Sequence, residues 1–99
     1  MATFQLRILS LRGVLFDKPV SSVYLFGDEG EYELLAFHYD LLGALPAGEV
    51  KIAGYPPVPL RTGVVLFQNN ICTIIVEEQE DRKRATAAPA PAGEAAKST

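Results

Sequence analysis

An all-β domain is what this sequence predicts: short, mostly antiparallel strands closed as a sandwich or a barrel, with a disordered tail behind them. Three observations carry the prediction. Apolar and polar residues alternate with period two in several short runs, the signature of half-buried strands. Turn formers recur about every ten residues between those runs, a spacing typical of sandwiches and barrels. The composition also changes abruptly near residue 79. Residues 1–78 hold nearly all the large apolar side chains, whereas "QEDRKRATAAPAPAGEAAKST" contains no Val, Ile, Leu or aromatic residue. Such a segment cannot bury enough apolar surface to offset the entropy of ordering it. Its Ala-Pro portion, Ala87 to Ala92, is expected to be extended and solvated. The reading is one domain over residues 1–78 and a disordered Ala/Pro-rich tail over 79–99.

In chain order, "TFQLRIL" alternates Phe4, Leu6 and Ile8 with Gln5 and Arg7. Gly13 interrupts the pattern and "VLF" (Val14–Phe16) resumes it. Pro19 suits only a strand start or an edge, because it cannot donate to a ladder. "VSSVYLFG" reads as a strand ending at Gly27, and if Val23 and Leu25 point inward, Tyr24 and Phe26 point outward. "GEVKIAG" puts Val50 and Ile52 on one face, and the three prolines of "YPPVPL" require a loop or an edge. "GVVLFQNNICTIIVEE" reads as a hairpin about Asn69-Asn70, since asparagine accepts the positive φ of tight turns. Val65 and Phe67 share one of its faces and Val64 and Leu66 the other, so both faces are apolar. Cys72 reads as a small strand side chain with no basic cluster beside it to activate it. As the single cysteine, it excludes an internal disulfide and suits a reducing compartment.

One segment departs from period two. In "EYELLAFHYDLLGAL", Leu34, Phe37, His38, Leu41, Leu42 and Leu45 recur at helical spacing. Asp28, three residues before Glu31, loosely imitates a capping box. Periodicity alone predicts a helix here.

Several function classes fall away. A net charge of −3 lacks the basic footprint of nucleic-acid binding. No apolar run approaches the ~18 residues of a membrane span, and "MATFQLRILSLRG" lacks a signal-peptide pattern. His38 and Cys72 are the two soft ligands, on separate elements, against the three or four ligands of a zinc site. No serine stands in a nucleophile-elbow context, and the acidic "GDEG" would repel phosphate. The pairing of His38 with Asp40 is a weak acid–base signal. What remains is surface: Tyr24, Phe26, Tyr32, Phe37 and Tyr39 near an acidic turn, more apolar area than a small domain hides. Such patches mark interfaces; the plainer alternative is that two sheets simply cover each other.

The ordered pieces resemble the N-terminal β-sandwich domain of the epsilon subunit of F-type ATP synthases. Glu29-Gly30-Glu31, His38, Leu41-Leu42, Gly48-Glu49-Val50-Lys51-Ile52, Gly63 and Thr73 match that family's pattern in order and at near-identical spacing, over about residues 3–78. The resemblance implies a small sandwich of about eight to ten short strands. It also implies strand-and-turn geometry over 33–40, since tertiary context overrides propensity. Here the sequence departs from the family. Ala36 and Phe37 replace the two turn formers of the usual Gly-Ile-x-Pro-Gly-His run, and Asp40 stands where proline is usual. The family normally adds an Ala- and Arg-rich two-helix hairpin. "EDRKRATAA" resembles its first stub, but Pro89, Pro91 and the lack of apolar residues argue against a packed hairpin, and with it against hairpin-based inhibition of ATP hydrolysis.

By resemblance the chain is a non-catalytic central-stalk (rotor) subunit. It would bind the gamma subunit and the rotor-ring subunits, coupling proton or sodium flow to ATP synthesis. It would need no cofactor and no small-molecule substrate, and would sit peripherally at the cytoplasmic face of the inner (plasma) membrane. The turn Glu29-Gly30-Glu31 is expected to face the ring's polar loops, and His38, Tyr39 and Leu42 to lie near gamma. The excess of 9 acids over 5 bases in residues 1–78 fits pairing with basic ring loops. Two rivals remain: a free-standing sandwich adaptor in another complex, and a ligand-binding or catalytic protein using His38, Asp40 and the acidic turn.

Overall fold

The computed structural model describes residues 2–27 and 29–77. The expected tail over 79–99 and the question of a following hairpin lie outside the described residues. Nine strands run through the described chain: β1 (Phe4–Ser10), β2 (Gly13–Val20), β3 (Ser22–Gly27), β4 (Gly30–Leu35), β5 (Leu41–Leu45), β6 (Gly48–Ile52), β7 (Val58–Leu60), β8 (Thr62–Gln68) and β9 (Ile71–Glu77). They form a five-stranded sheet of order β2-β1-β9-β8-β5 and a four-stranded sheet of order β4-β3-β6-β7. All pairings are antiparallel except that of β1 with β9, which is parallel.

Side-chain alternation sorts each strand between core and solvent. On β1, Phe4, Leu6 and Ile8 are buried, while Gln5 and Arg7 are half-buried on the other face. Val23 and Leu25 are buried and Tyr24 and Phe26 exposed, as the alternation requires; Val65 and Phe67 are buried and Val64 and Leu66 exposed. Val50 and Ile52 join the same core. Pro19 sits on β2, a border strand, where its missing N–H faces no partner. Asn69 and Asn70 take φ of 55° and 59°, the two-residue turn whose twist matches the strands it joins.

The helix that periodicity predicts over the leucine-rich segment does not form. β4 runs through Leu35, a turn follows, and β5 begins at Leu41. The would-be helical stripe is not a common buried face: Leu34 and Leu45 are buried, but Phe37 and Leu42 are about three-quarters exposed. Ladders to β3 and β8 take up one side of the backbone along both strands, and this tertiary pairing outweighs a local 3.6 period.

Cys72 is fully buried on β9. Burial pushes its thiol up to about 12 from an ordinary 9.0. The group is neutral in the fold, so its contribution is fully present below pH 9.0 and is lost as pH rises towards 12. The loss is at most ~1.4 kcal/mol per pH unit. Tyr24 and Tyr32 are also raised above 10.0, the first by its hydrogen bond to Glu33 and that carboxylate's charge, the second mainly by burial. Both act in the same direction at higher pH. Urea unfolding should therefore show stability falling above pH 9, with Cys72→Ala flattening the fall. A thiol reagent should label Cys72 only as the domain unfolds; rapid labelling of the native chain would contradict this burial.

Candidate protein interface

The link between β4 and β5, residues 36–40, opens with a four-residue turn over 35–38. The Leu35 carbonyl accepts the His38 N–H at 3.2 Å, and Phe37, the third residue, has φ 64°. That is the type II pattern, whose third position normally belongs to glycine. A bulky side chain held there costs about 1 kcal/mol or more and persists only where surrounding contacts over-determine it. Asn70 supplies them. Its Oδ1 accepts the Phe37 N–H at 2.7 Å, and its Nδ2 donates to the Thr3 carbonyl at 3.0 Å. Its own carbonyl accepts the Gln5 N–H at 3.2 Å. The tip of the β8–β9 hairpin thus clamps both the start of β1 and the turn.

The strained turn spends its cost on display, because Phe37 and Tyr39 are both 76% exposed. Phe37→Gly should raise stability by about 1 kcal/mol, by relieving the left-handed strain, while removing an exposed aromatic from the surface. A calorimetric melting temperature no higher than that of the parent would show that Phe37 is not strained.

His38 is half-buried between rings. It lies 4.2 Å from Tyr39 and 5.6 Å, edge-on, from Phe67 by ring centroid. Its Nδ1 sits 2.7 Å from the Tyr39 carbonyl; a carbonyl only accepts, so Nδ1 carries the proton. The imidazole positions the turn. Among the described residues no ion pair or hydrogen bond joins it to Asp40, and no three of His, Cys, Asp and Glu gather as a metal site.

All six residues singled out in the sequence, Glu29, Gly30, Glu31, His38, Tyr39 and Leu42, line one groove of about 730 Å³ between the borders of the two sheets. Tyr32 closes its floor. A Cβ on Gly27 would come within 3.1 Å of the Tyr32 ring, so that glycine makes room for it, whereas one on Gly43 would meet its hydroxyl at an ordinary 3.7 Å. Gly30, with φ 117°, turns β3 into β4 in a conformation that disfavours side chains. The acids differ in setting. Glu31 pairs with Lys51 at 3.8 Å, Glu33 accepts a hydrogen bond from Tyr24, and Glu29 makes no ion pair among the described residues.

The structure adds a surface of which the expected site residues include Leu42 alone. The outer face of the five-stranded sheet carries an apolar patch over β5, β8 and β9: Leu42, Val64, Leu66, Ile71 and Ile75 are each 41–75% exposed. Leu42 stands opposite Leu66, and Val64 opposite Ile75, so the side chains form one field running into the β5 border. Alternation in "ICTIIVEE" would have revealed Ile71 and Ile75 once Cys72 and Ile74 were assigned inward. The other sheet's outer face is mixed instead, with Tyr24 and Phe26 among Glu31, Glu33 and Lys51.

Residues 3–82 match the family described as ATP synthase, Delta/Epsilon chain, beta-sandwich domain. The chain is 30% identical over 100 residues to the ATP synthase epsilon chain of a Cyanothece species, covering 98% of this chain and 72% of that one. It is 29% identical over 83 residues to the chloroplastic ATP synthase epsilon chain of Mesostigma viride, covering 80% and 62%. With the epsilon chain of Sulfurimonas denitrificans the identity is 33% over 81 residues, covering 78% and 62%. The chain thus spans a little under two thirds of the length of the latter two relatives. Among solved structures, the central stalk and c-ring of Tetrahymena thermophila mitochondrial ATP synthase contains a chain with TM-score 0.68 and 16% identity, covering 84% of this chain and 72% of that one. A chain of the Euglena gracilis mitochondrial enzyme gives 0.67 and 21%, covering 79% and 52%. At those identities the likeness establishes the fold. By sequence, this chain belongs to the ATP synthase delta/epsilon family and carries its β-sandwich domain.

Proposed function

We propose that the chain is a non-catalytic central-stalk subunit of an F-type ATP synthase. It binds the gamma subunit and the membrane rotor ring and so helps couple ion translocation to ATP synthesis, peripherally at the cytoplasmic face of the membrane. One observation carries the reading: in a member of this family, an apolar sheet face continues through the exposed Leu42 to the turn bearing Phe37 and Tyr39. A field of this kind, rimmed by polar residues, is the anatomy of a protein interface. Gamma is assigned to the His38–Leu42 side, and the polar ring loops to the Glu29–Glu31 turn.

Co-expression with the matching gamma subunit, followed by size-exclusion chromatography, tests it. A stable one-to-one complex is expected. No complex, with both partners shown to be folded, would favour a free-standing sandwich adaptor using the same surface. Charge reversal separates the roles of the acids. Glu29→Lys should reduce ATP-driven ion pumping of the assembled enzyme several-fold, the range of lost charge complementarity. Glu31→Lys should act partly through its broken pair with Lys51. Unchanged assembly and pumping in both would remove the turn from the interface.

A further inference from the structure

Four strands border the two sheets: β2 and β5 in one, β4 and β7 in the other. An open border is a template for pairing, and natural sheets blunt theirs with charge, proline, bulges or brevity. Three of the four borders carry such a device. β2 contains Asp17, Lys18 and Pro19, and its ladder to β1 shifts register at Ile8/Leu9. β7 has three residues with Pro59 in the middle. β4 bears Glu31 and Glu33. β5 reads Leu41-Leu42-Gly43-Ala44-Leu45, with no charge, no proline and an unbroken register to β8. Nothing among the described residues pairs with its other side.

We propose that β5 is a strand-addition site: an extended partner segment with alternating apolar and basic residues pairs its main chain with this border. One set of its side chains would extend the apolar field beside Leu42 and Ala44. The other set would enter the groove, which is lined on its β4 side by Glu29 and by Glu31 and Glu33, the last two reaching its rim from the outer face of that sheet. Charge complementarity selects the occupant. Two copies of β5 paired about a two-fold axis normal to the sheet would set their β4 borders face to face, glutamate against glutamate, and like charges so placed oppose pairing. A basic strand meets attraction instead. Main-chain pairing supplies affinity and alternate side chains supply choice, the general mode of β-augmentation. The proposal deepens the subunit reading and rests on it only for the partner's identity.

Amide hydrogen exchange by NMR on the full chain tests it, with a short synthetic peptide alternating valine and lysine as the probe. The β5 amides that do not bond to β8 should exchange fast in the free chain and slow roughly tenfold at saturating peptide. A valine–glutamate peptide and a backbone N-methylated valine–lysine peptide should have no effect. The proposal is overturned if the lysine peptide gives no slowing, if either control matches it, or if concentrating the chain alone protects β5, which would make a second copy the occupant. A gamma complex that leaves these amides fast also overturns it while leaving the subunit reading intact. Protection by the peptide without a gamma complex retains it and removes gamma as the partner.

Discussion

Phe67→Ala is expected to cost about 3–5 kcal/mol, the range for truncating a fully buried aromatic residue. Phe67 has no exposed surface. Its ring lies 5.2 Å from Phe4 at a tilt of 58°, and its edge contact with His38 supports the turn. In register it stands between Leu41 and Cys72, so the cavity would open at the junction of β5, β8 and β9. Folded proteins hold about 5–15 kcal/mol in reserve, and a domain this small sits near the lower end. The variant should therefore be largely unfolded at physiological temperature. Circular dichroism with urea titration checks this; a midpoint close to the parent's would mean that the cavity collapses without loss. Phe67→Leu, which keeps most of the volume, should cost about 1.5 kcal/mol or less. It should also retain more of the turn's order than the alanine variant.

Gly63→Ala is expected to be nearly as damaging, about 3 kcal/mol, although it adds a single carbon. A Cβ at Gly63 would lie 2.7 Å from the Ile75 carbonyl oxygen and 3.4 Å from both Cα and Cγ1 of Val76. Backbone atoms cannot rotate away, so β8 or β9 must shift. Gly63 stands opposite Leu45 and Val76 in a strand paired on both sides, and near it the Arg61 N–H donates to the Glu77 carbonyl at 2.8 Å. A displacement would therefore spread through three strands. Gly43→Ala is the contrast: its Cβ would meet only side-chain atoms, Val65 Cγ1 at 3.5 Å and the Tyr32 hydroxyl at 3.7 Å. It should stay within about 0.5 kcal/mol of the parent. Equal melting temperatures for Gly63→Ala and the parent would show that the ladder yields more easily than these distances allow.

Period-two patterning made the strands legible: it set Val23 with Leu25 and Val65 with Phe67 on shared faces, but with Val64 and Leu66 equally apolar the inward face of the hairpin is decided only by the sheet packed against it. The hairpin turn was legible because two asparagines in sequence have few other uses between apolar runs. The segment from Leu34 to Leu45 was not, because its leucines obey a helical period by coincidence. What decides it is a ladder to β3 and another to β8, contacts made by residues distant in sequence. The turn itself was hidden for a chemical reason: Ala36 and Phe37 carry none of the signals of a type II turn, and its support, Asn70, lies on another hairpin. The residues around the groove could be named one by one, but their meeting on one groove depends on β4 and β5 bordering different sheets at the same side. Gly63 was legible as a matching letter alone. Its physical reason, the Ile75 carbonyl, exists only once β9 is in place.

The parallel pairing of β1 with β9 has a consequence for how the chain reaches this state. The middle of the five-stranded sheet joins residue 5 to residue 71, nearly the full span of the domain. The local hairpins β1–β2, β3–β4 and β8–β9 can form early, but the seam between the first and last strands closes only after the intervening chain has been gathered. Contacts of such long sequence separation slow folding. During synthesis, β1 emerges first and waits with one side unpaired until Ile71 to Glu77 have left the ribosome. A release of the chain before that point would yield two half-sheets lacking their shared middle strand, with apolar edges open to whatever else is nearby.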